Sequence, residues 1–254
     1  MRTPFVLFAF ALLPFALAQG PKTIEFSRVV DLSHSISGNI PLWPGDPPVE
    51  LEAVAQFDPD GYYLRRFSMG EHSATHMNAP NSFHDGAHGI DGYEPDSLVV
   101  PAVVVDVRAQ ADADPDHQVS VADLKAWEEE HGRIPEGAVV LAFTGWQELW
   151  GDAGAFFGED ADGNMHFPGF SGEAAAFLLE ERSAAGVGID THGVDPGLDE
   201  EYAVNTQVLA VNGIVLENLT NLDQLPAVGT TIAIGILRLE EGSGSPVSVL
   251  AFVP

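Results

Sequence analysis

Two almost continuous apolar runs constrain the fold of this chain more than any other feature. They are SLVVPAVVVDV, residues 97–107, and AVVLAFTGW, residues 138–146. Runs of this kind, rich in β-branched residues, are typical of strands that are buried on both faces of a sheet. A sheet covered on both faces belongs to a layered domain, so the sequence predicts a layered core built around these two strands.

Shorter patterns predict further strands and two clear helices. Strands are expected in residues 26–34, from Val49 onward, in 61–70, and in the later stretches VGID, VLA, GIVLENL and TTIAIGILRLEE. One helix begins at Ser120, where Asp123 completes a capping box, and ends at Gly132. A second helix is expected over 171–186, between a serine and a glycine. Strands therefore dominate, and the predicted class is mixed α/β, an α+β layered domain rather than a strict alternation of strand and helix.

The first residues have the composition of a secretory signal. The stretch MRTPFVLFAFALLPFALAQG has one early Arg, a long apolar run and the small-residue ending Ala16-Leu17-Ala18. Cleavage after residue 18 leaves a single domain, residues 19–254. We therefore expect an exported protein, periplasmic or extracellular, with no membrane contact after cleavage. An uncleaved N-terminal anchor is the alternative.

The charge balance is extreme, with 38 acidic residues against 10 basic ones. The acids are scattered along the chain, and a dispersed acidic surface is typical of proteins that stay soluble in concentrated salt, which indicates a halophilic source. The same surface argues against nucleic acid or an anionic membrane as a partner, because binding phosphate requires Lys and Arg. A small molecule is the expected substrate.

A cluster of histidines gives the clearest indication of chemistry. The stretch EHSATHMNAPNSFH, residues 71–84, contains His72 and His76, and in an extended strand His76 and Asn78 would share a face. Pro80 disfavours a helix, so the cluster is placed at the end of a strand and in the following loop. The chain has no Cys, so thiolate sites are excluded, and His with oxygen ligands favours Zn or Mn.

The stretch HSATHMNAPNSF, residues 72–83, resembles the pattern His-x-Gly-Thr-His-x-Asp-Ala-Pro-x-His-Phe of the cyclase-like metal hydrolases, a family that includes bacterial kynurenine formamidases and isatin hydrolases. Other stretches resemble the family too: DLSH and WPGDPP earlier in the chain, and HFPGFS, GIDTHGVDPG and ENLTNLDQLP later in it. The resemblance implies a barrel-like core of the swivelling ββα type and an amidohydrolase, assembled as a dimer or tetramer. It implies that His72 and His76 are metal ligands and that Glu217 matches a more distal Glu of the family site.

Three positions depart from the family pattern. Asn78 replaces an Asp ligand, Ser82 replaces a proton-transferring His, and Asn205 replaces a second-metal His. An amide ligates through oxygen but carries no charge, so it bridges two ions poorly. We therefore expect one divalent ion, Zn or Mn, held by His72, His76 and Asn78.

Proton transfer then needs another residue. The candidates are His84, two residues beyond Ser82 on the same side of an extended segment, and Glu217, with weaker claims for His88 and His192. The predicted function is metal-dependent hydrolysis of a formamide or cyclic amide. A catalytically silent binding protein and a lactonase are the alternatives. An aromatic substrate pocket is a further expectation. Its candidate lining residues are Trp43, Tyr62 and Tyr63, and the alternative is that these side chains belong to the core.

Overall fold

A closed ring of seven strands forms the centre of the computed structural model, which describes residues 23–254. Around the ring the order is β12, β11, β5, β7, β9, β10 and β4, and β4 pairs again with β12. In chain order the strands are β1 (Arg28–Asp31), β2 (Glu50–Ala55), β3 (Leu64–Ser68), β4 (His76–Asn78), β5 (Val99–Asp106), β6 (Gln118–Val119), β7 (Val139–Phe143), β8 (Gly169–Phe170), β9 (Gly186–Ile189), β10 (Ile214–Glu217), β11 (Thr230–Ile236) and β12 (Gly244–Val253).

The ring closes because β12 is long enough to pair with two strands along one of its edges. Its first residues, Gly244 to Pro246, pair with β4, and its last, Leu250 to Val253, pair with β1. β5, β7, β9 and β10 run parallel to one another, and the other contacts of the ring are antiparallel. Two short two-stranded sheets, β2–β3 and β6–β8, lie outside it.

The three longest α-helices of the described chain cover the parallel part of the ring from outside. In chain order the α-helices are α1 (Phe57–Asp60), α2 (Arg108–Ala113), α3 (Val121–His131), α4 (Ala153–Phe157), α5 (Gly172–Arg182) and α6 (Ala203–Ala210). Alternate residues of the strands divide between two cores. Val104 and Leu141 belong to the cluster inside the ring, whereas Val103 and Val140 pack with helix residues such as Leu124. Both faces of β5 and β7 are therefore buried, which explains their continuous apolar sequence.

The mixed α/β class with a barrel-like sheet is confirmed, as are the two apolar runs as β5 and β7. The helix at Ser120 is confirmed together with its capping box to Asp123. The second helix is capped by Ser171 as predicted, but it ends at Ser183, in the left-handed region, because Gly186 already belongs to β9.

Two expectations about the C-terminal half are wrong. The stretch VLA, residues 208–210, is the end of α6 rather than a strand. A short apolar run does not distinguish a buried strand from a buried helix. The sequence analysis also missed β12, the longest strand of the described chain.

Among residues 23–254, no helix is long and apolar enough to cross a membrane. The predicted signal segment, residues 1–18, lies outside the described residues.

Gly186 allows β9 to approach β10 very closely. A Cβ at this position would lie 1.9 Å from the backbone oxygen of Ile214. We expect Gly186→Ala to lower the free energy of unfolding by about 3 kcal/mol or more, because the obstructing atom is backbone and overpacking a tight site is costly. Urea denaturation measures this, with Gly151→Ala as control, since a Cβ there meets nothing within 4 Å. An equal urea midpoint for both variants would contradict the close packing of these strands.

Candidate active site

A cavity of about 300 Å³ opens beside β4 and β10. Its walls are partly aromatic and its floor is polar. The aromatic wall residues are Trp43, Phe83, Phe167 and Tyr202, and the polar floor residues are His72, His76, Asn78, His192, Asn205 and Glu217. The volume is at the lower end for ligand sites, which suits a small molecule rather than a polymer.

The register of two paired strands brings the floor residues together. β4 runs antiparallel to β10, with His76 directly opposite Glu217 and Asn78 opposite Val215. Because side chains alternate along a strand, His76 and Asn78 both face the cavity, as the sequence predicted. His72 lies in the turn that precedes β4, and Asn205 is supplied by α6.

The proton positions on His76 follow from its neighbours. Its Nδ1 lies 2.9 Å from the carbonyl oxygen of Ala74, which can only accept, so Nδ1 carries a proton. The other nitrogen, Nε2, lies 2.9 Å from Oε2 of Glu217. In a neutral imidazole this nitrogen is an acceptor, so two acceptors face one another. Such a contact requires a cation, which is either an additional proton or a metal ion.

His72 is constrained in the same way. Its Nε2 lies 3.0 Å from Oγ of Ser243, and that hydroxyl is 2.7 Å from Oε2 of Glu71. A carboxylate only accepts, so Ser243 donates to Glu71 and accepts the Nε2 proton of His72. Burial, followed by the neighbouring His76, lowers the pKa of His72 and favours the neutral ring. Its Nδ1 is then an acceptor, and it lies 2.9 Å from Oδ1 of Asn78, which is also an acceptor.

The orientation of the Asn78 amide is fixed by a chain of buried side chains. Its Nδ2 donates to Oδ1 of Asn205 over 2.9 Å. Asn205 in turn donates from Nδ2 to Asp195, at 2.8 Å, and to Glu217, at 3.4 Å. Since both carboxylates only accept, neither amide can be reversed, and the oxygen of Asn78 must point toward His72.

These acceptors are the ligands that a metal ion needs. Two imidazole nitrogens and an amide oxygen converge on the cavity floor beside the carboxylate of Glu217, and second partners fix the tautomer of each histidine. Within residues 23–254, no group of three or more His, Cys, Asp or Glu side chains is arranged to hold an ion. The set that converges here differs because its third member is an amide. The donor chemistry therefore fits one divalent ion on His72, His76 and Asn78.

Glu217 and His192 differ in how their surroundings affect their charge. Burial opposes ionisation of Glu217, but the hydrogen bond and charge of His76, together with the N–H of Val194, lower its pKa. Burial, reinforced by the charge of His76, lowers the pKa of His192 to about 3. At neutral pH, Glu217 is a carboxylate and His192 is a neutral ring in the cavity wall.

The structure does not bring His84 to this site. The segment after β4 forms a 3₁₀ turn at Pro80–Ser82 instead of the expected extended chain, so Ser82 and His84 do not point the same way. Ser82 lines the cavity, whereas Nε2 of His84 contacts the carbonyl oxygen of Thr206 at 2.8 Å. Of the aromatic candidates, Trp43 lines the cavity, but Tyr62 and Tyr63 are about half exposed and lie outside it.

Sequence reasoning gave no role to Glu71 and Ser243. In the sequence, Glu71 is the first residue of the stretch that contains the histidine cluster, and nothing else marks it. Ser243 is 171 residues from His72 along the chain, and no local pattern marks it. It reaches the site because it immediately precedes β12, the strand that closes the ring against β4.

Comparison with known proteins agrees with this geometry. Residues 30–196 match the model of the Cyclase family. The chain is 33% identical over 244 residues to isatin hydrolase from Roseibium aggregatum, with 89% of this chain and 92% of the relative covered. The chain belongs to the Cyclase family. It is also 25% identical over 230 residues to kynurenine formamidase from Bacillus cereus, covering 88% and 97% of the two chains.

Solved structures give the same result. Isatin hydrolase A from Ralstonia solanacearum superimposes with a TM-score of 0.85 at 38% identity, over 89% of this chain and 92% of that one. An isatin hydrolase bound to the product analogue thioisatinate gives 0.83 at 32% identity, with the same two coverages. These relatives are hydrolases, and this chain is a hydrolase of their family.

The amide chain should be measurable in the stability of the fold. Asn205→Ala leaves Nδ2 of Asn78 and one side of Asp195 without partners in a buried site. We expect the free energy of unfolding to fall by about 1–3 kcal/mol, the usual cost of leaving a buried polar group unsatisfied. Chemical denaturation measures this loss. Gln207→Ala, on the same helix but outside the cavity floor, is the control and should have a smaller effect. An Asn205→Ala variant as stable as the control would contradict the hydrogen-bond chain.

Proposed function

We propose that this protein hydrolyses the carbon–nitrogen bond of a small planar cyclic amide of the isatin type, using one divalent ion. The observation that carries the proposal is the convergence of His72, His76, Asn78 and Glu217 below the aromatic wall of the cavity. The identity of 32–38% to three structures that are named isatin hydrolases favours a cyclic amide over an open formamide, since the formamidase relatives are 23–25% identical.

The metal ligands in this proposal are His72, His76 and Asn78. A bound Zn or Mn ion polarises an amide carbonyl and increases the acidity of water. Asn78 carries no negative charge where the family pattern has an Asp, and Asn205 offers no imidazole to a second ion, which favours a single ion. Ser243 and Glu71 keep Nδ1 of His72 unprotonated for this purpose.

Glu217 is the proposed proton carrier. Its carboxylate lies on the cavity floor, so it can accept a proton from the attacking water. The water oxygen bonds to the carbonyl carbon, the bond from that carbon to nitrogen breaks, and the nitrogen receives the proton from Glu217. The products are an amine and a carboxylic acid in one molecule, and the acid releases its remaining proton to solvent. Trp43 and Phe167 pack against a flat ring and exclude bulk water from it.

The role first expected for His84 is better filled by Glu217. His84 is held by the backbone of α6 and does not line the cavity. His192 lines the cavity, and burial lowers its pKa to about 3, so its ring is neutral at physiological pH. It serves as a neutral wall beside Trp43, with the ring centroids 5.1 Å apart.

The export of the protein, its halophilic surface and its oligomeric state stay predictions from the sequence. The short apolar segment at residues 1–18 and the excess of acidic side chains support the first two.

Activity measurements test the assignment of Glu217. With Zn or Mn supplied, we expect wild-type protein to open isatin and Glu217→Gln to lose at least about 100-fold in kcat, the usual effect of removing a general base. His84→Ala, the matched control, should retain kcat within about threefold, because this side chain lies outside the cavity. Thermal melts establish that both variants fold.

Three results would count against this assignment. Turnover of lactones but not amides would identify a lactonase, and no turnover of either by folded, metal-loaded protein would identify a silent binding protein. Equal losses of kcat in Glu217→Gln and His84→Ala would show that Glu217 is not the proton carrier.

Metal affinity tests the orientation of His72. We expect Ser243→Ala to weaken Zn binding by about tenfold, because the ring loses the partner that fixes its tautomer. Asn78→Ala should weaken it further. Isothermal titration of the metal-free protein measures both, with Ser248→Ala, an exposed residue of β12, as control. Elemental analysis of wild type should give about one ion per chain, since three protein donors with one position left open are typical of a single catalytic ion. Two ions, or no effect of Ser243→Ala, would contradict this arrangement.

A further inference from the structure

A second cavity adjoins the cavity over the metal-ligating residues, which we call the reaction cavity. The second cavity has a volume of about 250 Å³, and we call it the annex. The two share Trp43, Gly197, Asp199 and Tyr202 as lining residues, so one begins where the other ends. A small planar amide bound over the floor of the reaction cavity leaves the annex unfilled. The annex therefore has room for a substituent of the substrate.

Two segments and two aromatic rings form the walls of the annex. The segments are residues 163–165, which precede the wall residue Phe167, and residues 197–202, which lead into α6. The rings are those of Trp43 and Tyr202. The face of an aromatic ring attracts a cation, and Trp attracts it most strongly. The rings therefore suit either an apolar or a cationic substituent.

Asn164 distinguishes between these two possibilities. It lines the annex, and its Nδ2 donates to Oδ2 of Asp160 over 2.9 Å. Because a carboxylate only accepts, the amide cannot be reversed, and Oδ1 is the atom that is left for a ligand. Within residues 23–254 this oxygen accepts no hydrogen bond from another residue. Asn164 therefore offers an acceptor to the annex.

Two carboxylates offer further acceptors. Asp199 accepts from the backbone N–H of Glu201 at 2.8 Å and of Ala203 at 3.2 Å, one on each oxygen, so each oxygen keeps a free lone pair. Glu200 is exposed, and its carboxylate makes no hydrogen bond or ion pair in the described part of the chain. Three acceptors, two of them charged, call for a ligand group that is a donor and positively charged. An ammonium group meets both requirements.

The annex and the reaction cavity also disfavour a negatively charged group on the substrate. Among the described residues, no Lys or Arg lines either cavity. Asp46 adds another carboxylate to the wall of the reaction cavity. A substituent of the amino acid type would bring a carboxylate together with its ammonium, and that carboxylate would have no basic side chain to pair with.

We propose that the substrate is a planar cyclic amide with an ammonium-bearing arm that lacks a carboxylate, and that the arm lies in the annex between Trp43, Asn164 and Glu200. This rests on the cyclic amide hydrolysis proposed above for the reaction cavity. The metal-ligating residues hold the amide, and the annex selects the arm by its charge.

Isothermal titration of the metal-loaded full chain with tryptamine tests the proposal. Tryptamine has a flat two-ring system and an alkylammonium arm but no amide, so it binds without being hydrolysed. Tryptophol has a hydroxyl in place of the ammonium. We expect tryptamine to bind at least about tenfold more tightly than tryptophol, which corresponds to about 1.4 kcal/mol. Tryptophan, which adds a carboxylate to the same arm, should bind more weakly than tryptamine.

A pair of neighbouring glutamates separates the annex from the general negative charge of the protein. Glu200→Gln should lower the preference for tryptamine over tryptophol by about threefold, the scale of an exposed ion pair. Glu201→Gln is the matched control, because Glu201 is equally acidic and exposed but lines neither cavity, and it should leave the preference unchanged. About 0.15 M salt limits the reach of the net charge to roughly 8 Å. A partial loss of folded protein affects both ligands alike and cancels in the ratio.

Three results would overturn the proposal. They are equal binding of tryptamine and tryptophol, equal effects of Glu200→Gln and Glu201→Gln, and tighter binding of tryptophan than of tryptamine. The function of the reaction cavity is tested separately by turnover of isatin. Turnover of isatin without a preference for tryptamine would reject the annex alone, and the expected preference without turnover would reject the hydrolysis alone.

Discussion

The pairing of three-residue β4 with two neighbours holds this structure together. It bonds to β10 on one edge and to the start of β12 on the other, and these contacts close the ring. The same three residues supply His76 and Asn78 to the cavity floor. Closure of the barrel and assembly of the site are therefore one event, and neither His76 nor Asn78 can be displaced without separating strands of the central sheet.

The constraint extends to residues that are distant in the sequence. Because β12 starts beside β4, Ser243 lies next to His72. Because β10 pairs with β4, Glu217 faces His76. Helix α6 packs by β10 and adds Asn205. His72, His76, Asn78, Asn205 and Glu217 are each held by a second polar side chain. Their positions therefore depend on the ring rather than on any loop acting alone.

Local chemistry in the sequence was enough to predict some of this. Continuous β-branched runs marked β5 and β7, the Ser120–Asp123 box marked α3, and the spacing of His76 and Asn78 placed them on one face. The roles of Ser243 and Asp195 depend on contacts between distant segments, for which no periodicity gives a signal. His84 was misplaced because the segment at Pro80 turns instead of extending. The strand β12 was missed because glycine and serine at its start resemble a loop.

The two-stranded sheet of β2 and β3 has a consequence that reaches beyond its own surface. Its strands connect the loop that carries Trp43 and Asp46 to the turn that carries His72, and all three residues line the cavity. A movement of this sheet is therefore passed to two segments that border the cavity. The width of the entrance is thus coupled to a hairpin that itself contributes no residue to the cavity lining.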